Sequence, residues 1–372
     1  MTHRIIIGLA WLALAASAVG YSWAGNCRPE FPLEHGHPFS WQGADDAYSI
    51  PLPDGRDVWI FGDTLYGAVR LVKGNEPRMT HSSIGISSCG PDGSWHLKYF
   101  IKRDKKGQAA SFFVPKDPVH WYWAMDGFAA GGNLWITLLC IKPATHPEPW
   151  AMNFETCGTD LARIGNSQKD PDHWEISYFP LVADGVKAYP SASAVVQDDY
   201  VYIFALYESG ERPLLATRIP LSGLSEPQAH LEYLSAEGAW VKGFSPERAK
   251  VIMQKGATEL SIRYHPELKQ WLAVLLDPAF FSEKVLLRSA PSLMGPWTEG
   301  DIIYRIPEML PGPRRDKDTF CYAGKEHPEL EHPGELLFTY VCNTMAVPKL
   351  TSETDIYFPQ VVSLPMPDSA HR

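Results

Sequence analysis

Five short apolar runs recur along the chain, at residues 58–61 (VWIF), 134–139 (LWITLL), 200–206 (YVYIFAL), 271–276 (WLAVLL) and 336–341 (LLFTYV). Their first residues stand 76, 66, 71 and 65 positions apart. Each run is apolar at successive positions instead of alternating, as expected of a strand covered on both faces. A period near 70 residues suits a supersecondary unit of about four strands joined by generous loops, and units that cannot bury their faces alone must pack side by side. Turn residues punctuate the intervals at Asp54-Gly55, Pro91-Asp92-Gly93, Gly131-Gly132-Asn133 and Asp198-Asp199, and no amphipathic helix of ordinary length stands out. The expectation is an all-β chain, a five-bladed β-propeller closing as one domain over residues 27–366.

Residues 1–24 read as a signal peptide. Arg4 precedes an almost uncharged apolar stretch, which ends in small residues at Ala16-Ser17-Ala18. Export to a secreted or periplasmic location follows as an expectation. In an oxidising compartment, an even set of six cysteines with no CxxC pair points to disulfides and away from metal. Cys140 with Cys157 and Cys321 with Cys342 would each join neighbouring strands of one sheet, leaving Cys27 with Cys89; sequence alone does not fix the connectivity.

The formal net charge of −10 argues against nucleic acid as a partner, because a polyanionic backbone is repelled by an acidic surface. No run after the leader is long and apolar enough for a membrane span. A neutral polysaccharide or glycan fits better, with 13 Trp and 16 Tyr to fill a β-rich core and to stack on sugar faces. A monomer with no cofactor is expected. No metal is assigned either: His327, Glu329, Glu331 and His332 cluster near the last run, but no spacing sets two ligands on one helical face.

What precedes each run narrows the chemistry. In a propeller the innermost strand of each blade leads by a short hairpin into the second, so polar residues 8 to 13 positions before each run start are candidates to face the central channel. These are Asp45, Asp126, Tyr189, Glu259 and His327, with Asp46, Trp123 and Glu329 beside them as further substrate-binding candidates. Asp63 closes the first apolar run. Glycoside cleavage needs one protonated carboxyl to assist the leaving oxygen and one ionised carboxylate to activate water or attack carbon. Asp45 and Asp63 are the candidate catalytic pair. Because Asp63 follows an apolar strand, it is expected to be the acid and Asp45 the base.

At these residues a resemblance becomes specific. The segments GADDAYS and GRDVWIFGDTLYG resemble the opening blade of the bacterial propeller family listed as domain of unknown function 4185, which includes the endo-D-arabinanases of glycoside hydrolase family 183. YWAMDGF, ATELSIRYHPELKQW, the Gly295-Pro296-Trp297 turn and HPEL extend the likeness from about Trp41 to Tyr340. The resemblance implies a five-bladed propeller hydrolysing furanoside linkages, arabinan-like and including D-arabinan, by inverting general acid/base catalysis, with two first-blade aspartates matching Asp45 and Asp63. Asp46 departs from the family, which often has Gly there. The alternative is a glycan-binding propeller without catalysis, its carboxylates serving only as hydrogen-bonding groups.

Overall fold

The computed structural model of the chain describes residues 27–70, 78–148, 153–279, 281–312, 316–353 and 355–367. The expected leader, and residues 313–315 of the loop before the last blade, lie outside them. The described residues form five antiparallel sheets. Blade I contains β1 (Trp41–Pro51), β2 (Asp57–Tyr66), β3 (Met79–Thr80), β4 (Ser83–Cys89) and β5 (Trp95–Phe100). Blade II is β6 (Trp121–Ala130), β7 (Asn133–Pro143), β8 (Phe154–Ile164) and β9 (Ile176–Val182). Blade III runs through β10 (Ala188–Gln197), β11 (Tyr200–Tyr207), β12 (Leu214–Pro220), β13 (Glu232–Leu234), β14 (Trp240–Lys242) and β15 (Val251–Met253). Blade IV holds β16 (Leu260–His265), β17 (Gln270–Leu276), β18 (Lys284–Ala290) and β19 (Asp301–Arg305), and blade V holds β20 (Thr319–Glu326), β21 (Glu335–Thr344) and β22 (Gln360–Pro365).

The first strand of every blade touches the first strand of the next, and β20 returns to β1, so the five inner strands close a ring around a central channel. This is the expected five-bladed β-propeller. All five apolar runs fall on second strands, where they are sandwiched between neighbouring blades. Tyr48, Ile50, Val58 and Ile60 of blade I pack with Leu134, Ile136 and Leu138 of blade II, and Leu272, Val274 and Leu276 of blade IV pack with Leu336, Phe338 and Tyr340 of blade V. Burying each such side chain fully contributes about 1.5–3 kcal/mol, which is why these runs are apolar on both faces apart from the buried hydroxyls of Thr137 and Thr339.

Closure between blades V and I uses side chains, not a shared strand. Trp41, Trp59 and Phe61 pack with Leu330 and Leu337, Phe31 sets its ring edge-on to Trp59 at 4.9 Å, and Arg28 pairs with Glu335 at 2.7 Å. Three disulfides, Cys27–Cys89, Cys140–Cys157 and Cys321–Cys342, match the expected pairing. No helix among the described residues is long and apolar enough to cross a membrane.

Candidate active site

The inner strands are bent where they face the channel. β1 carries ladder irregularities around Ala44, Asp46 and Tyr48, and β6, β10 and β20 carry one each. A bulge re-aims side chains and breaks the simple alternation of faces. In β1 it places Asp46 and Ala47 at φ 67° and 114°, conformations that cost a non-glycine residue energy and that concentrate at functional sites. Across the ladder Ala44 pairs with Thr64 and Asp46 with Phe61, so Asp45 lies opposite Gly62 and Asp63. Gly62 makes this approach possible: a Cβ there would stand 2.6 Å from Asp46 Oδ2 and 3.2 Å from Asp45 Cβ.

The two candidate catalytic carboxyls are close enough to interact electrostatically and sit in different surroundings. Asp45 accepts hydrogen bonds from Tyr322 and Tyr357. Burial, followed by the charges of Asp63 and Asp46, holds its carboxyl well above the usual carboxylate range. Asp63 keeps 21% of its side chain exposed and pairs through Oδ1 with His81 Nδ1 at 2.8 Å. The His81 ring stacks on Trp121 at 5.2 Å, and the Tyr357 hydroxyl donates to the Asp63 backbone carbonyl at 2.9 Å. The carboxyl of Asp63 thus lies outside the apolar surroundings expected from its place after an apolar run. The apolar residues before Asp63 point into the blade layers, while its own carboxyl reaches a half-open, histidine-bearing edge.

Around this pair stand a third and a fourth acid and one cation. Burial, with Glu259 next, pushes Asp46 up to about 8, against the Tyr48 hydroxyl that donates to Asp46 Oδ1 at 2.7 Å. Burial also raises half-buried Glu259. Lys325, buried over the Tyr48 ring at 4.0 Å, is pushed down to about 8 by desolvation, opposed by Asp126, Asp46 and Glu259. Several titratable groups with values moved towards neutrality gather here, an arrangement that makes this cluster the candidate site.

The other sequence candidates do not form a single ring. Asp126 is fully buried and accepts from the backbone N–H groups of Gly127 at 2.9 Å and Ala194 at 2.8 Å. It also pairs with Arg263 at 3.5 Å and Lys325 at 3.6 Å, tying four blades together as an internal clasp. Tyr189 and Trp123 lie in the apolar layer between blades II and III, among Met125, Leu139 and Ile141. The Tyr189 hydroxyl bonds to Thr156, and Trp123 meets Phe154 edge-on at 4.8 Å. His327 lies by the hairpin end, where its backbone N–H donates to Leu337 O at 2.9 Å. There it is 1% exposed, bonded to Ser49 at 2.6 Å and Thr339 at 2.8 Å, and burial pushes it down to about 3. Glu329 joins the same network through Ser49. Counting residues back to each run ignored hairpin length and bulges, which set the height and the face of each side chain.

Sequence reasoning missed Lys325, Tyr322, Tyr357 and His81. The first two stand just upstream of His327 in FCYAGKEH and were legible as polar residues of an inner strand. Tyr357 and His81 arrive from segments outside the inner strands, and no spacing announced them. An open groove of about 440 Å³ on the outer strands of blade I, lined by Glu30, Trp95, His96 and Lys98 among others, lies apart from all these acids.

The profile of the family described as Domain of unknown function (DUF5005) matches residues 37–364. The chain belongs to that family. Among solved structures, this DUF5005 member is similar to a candidate hydrolase from Bacteroides ovatus ATCC 8483, at 17% identity and a TM-score of 0.67, over 87% of this chain and 86% of that one. It is also similar to an exo-1,5-α-L-arabinanase from a bovine ruminal metagenomic library, at 10% identity and a TM-score of 0.45, over 89% and 95% of the two chains. The third is an α-L-arabinofuranosidase from Podospora anserina, at 10% identity and a TM-score of 0.45, over 91% and 94%. At these identities the likeness is one of fold. No curated protein matches in sequence.

Proposed function

We propose that this propeller is a glycoside hydrolase that cleaves furanoside, arabinan-like linkages, D-arabinan among them, in a polysaccharide or glycan. The observation that carries the reading is the Asp45–Asp63 pair, two interacting half-buried carboxyls in different surroundings, Asp45 held by the phenols of Tyr322 and Tyr357 and Asp63 paired with His81. Pairs of acids whose environments differ in this way divide acid and base roles. Asp45, whose proton is retained by burial and by the charges of Asp63 and Asp46, is the general acid. Asp63, at the edge shared with His81 and Trp121, is the general base that activates water. The furanoside preference and the inverting outcome rest on the resemblance of the first-blade motif to the endo-D-arabinanases. Asp46, the departure from that motif, contributes to the raised value of Asp45 and gives the extra carboxyl a role in tuning the acid.

The test is a screen of the purified mature protein against arabinans, arabinogalactans and galactans, with Asp45→Asn and Asp63→Asn beside it. Release of arabinose-containing products, abolished in both variants, is expected, and NMR of the first anomer formed reads the stereochemistry. Tight binding of an arabinan with no bond cleaved would establish the glycan-binding alternative instead. Normal hydrolysis by both variants would remove the pair from the mechanism and make Glu259 the next acid to test.

A further inference from the structure

Outside the Asp45–Asp63 cluster, a second group of titratable side chains gathers where blades IV and V meet. His265 ends β16, Glu326 ends β20, and Glu331 follows the short turn Pro328–Leu330. One potential ligand atom from each lies within 4.8 Å of the other two. Ligand atoms sharing one ion at ~2.0–2.2 Å stand roughly 3.5 Å apart, so small side-chain rotations complete such a set.

Two features go beyond a mere gathering of acids. Glu326 is 2% exposed, and its Oε2 is buried and receives no hydrogen bond from any donor. The Glu331 carboxyl approaches Glu326 closely enough to share a proton with it, although two carboxylates offer each other only acceptors. A buried carboxylate oxygen facing a second acid is costly unless a shared proton or a cation satisfies it. In addition, the two nitrogens of His265 are divided as metal-bound histidines divide them. Nε2 points to Glu326 Oε1 at 2.6 Å, inside the cluster. Nδ1 points out to Glu267 Oε1 at 2.9 Å, the carboxylate–histidine arrangement that fixes ring tautomer and orientation.

We propose that His265, Glu326 and Glu331 form a binding site for one divalent transition-metal ion, zinc or manganese, with Glu267 orienting His265 from outside. One imidazole and two carboxylates suit these ions, whereas calcium asks for six to eight oxygens. The ion pins the inner strands of blades IV and V together near their hairpin ends, so its role is structural.

The test uses the tag-free mature protein, stripped with chelator and incubated separately with Zn²⁺, Mn²⁺ or Ca²⁺. Bound metal is counted by mass spectrometry after dialysis, and Tm is followed. One equivalent of zinc or manganese per chain with a raised Tm is expected. Glu331→Gln, at a half-buried position that should still fold, loses the metal, and Glu267→Gln weakens binding about 10–100-fold. No retained zinc or manganese, equal retention by Glu331→Gln, or a preference for calcium over both would each overturn the proposal.

Discussion

Tyr322, on the inner strand of blade V, donates its hydroxyl to Asp45 Oδ1 on the inner strand of blade I, 277 residues away in sequence. The bond crosses the closure of the propeller, so the surroundings of the proposed acid depend on the ring being shut. It also favours the charged form of Asp45, opposing the burial and the neighbouring charges that favour the neutral form.

Tyr322→Phe and Asp46→Asn should therefore move the pH profile in opposite directions. Losing the phenol raises Asp45 further, so the alkaline limb of kcat/KM, where a general acid is deprotonated, moves to higher pH. Removing the Asp46 charge lowers Asp45, and the same limb moves to lower pH. Profiles of both variants that shift together, or not at all, would show that Asp45 is not the titrating acid.

Asp45→Asn and Asp63→Asn should each reduce kcat by about 10²–10⁴-fold while changing KM little, because general acid and base assistance appears in the transition state. Steady-state kinetics on whichever arabinan is cleaved decides this. A loss confined to KM would mean that the carboxylates bind substrate and do not transfer protons.

Asp126→Asn should unfold more easily instead of turning over more slowly. The substitution leaves Lys325 and Arg263 without their buried counter-charge, and breaking one side of a buried ion pair costs about 3–5 kcal/mol. Denaturant unfolding should show the loss, whereas Glu259→Gln, at a half-buried position near Asp46 and Lys325, should leave the midpoint nearly unchanged and lower activity.

Stability should decline from mildly acidic to alkaline pH. Burial, with Glu329 next, pushes Asp57 up to about 8, and Asp46 stands at about 8 as well. An unfolded aspartate titrates near 3.9, so the folded state holds these protons more tightly. The stability this contributes is complete below about pH 4 and is lost as pH rises through about 8. Thermal unfolding of Asp57→Asn across about pH 5–9 should show a flatter decline than the parent. An equally steep decline would place the responsible groups elsewhere.

Reduction should lower Tm, because each disulfide contributes about 2–4 kcal/mol. The Cys27–Cys89 bond spans 62 residues, against 17 and 21 for the other two. On the loop-entropy view, its removal by paired Cys→Ser substitution should cost the most. Equal losses from all three pairs would show that loop length is not what governs their contribution.

The unbroken apolarity of runs such as VWIF and WLAVLL was enough to specify second strands, blade count and the all-β class, because a strand clamped between two sheets must be apolar on both faces, and that demand is written locally. The spacing of Cys140 from Cys157 and of Cys321 from Cys342 likewise suited neighbouring strands of one sheet. Asp45 and Asp63 stood out because a single hairpin joins their strands and brings short-range sequence into contact. What the sequence did not carry is which inner-strand side chains face the axis, and at what height. That depends on ladder register and on bulges, and one slipped residue sends Tyr189 into an apolar layer and leaves Lys325 in the channel. The raised carboxyl of Asp45, the proposed acid, comes from tertiary structure alone. Burial by a strand from the far end of the chain, and the phenols of Tyr322 and Tyr357, act on Asp45 through space, and electrostatic neighbours gathered by ring closure leave no mark in the residues beside it.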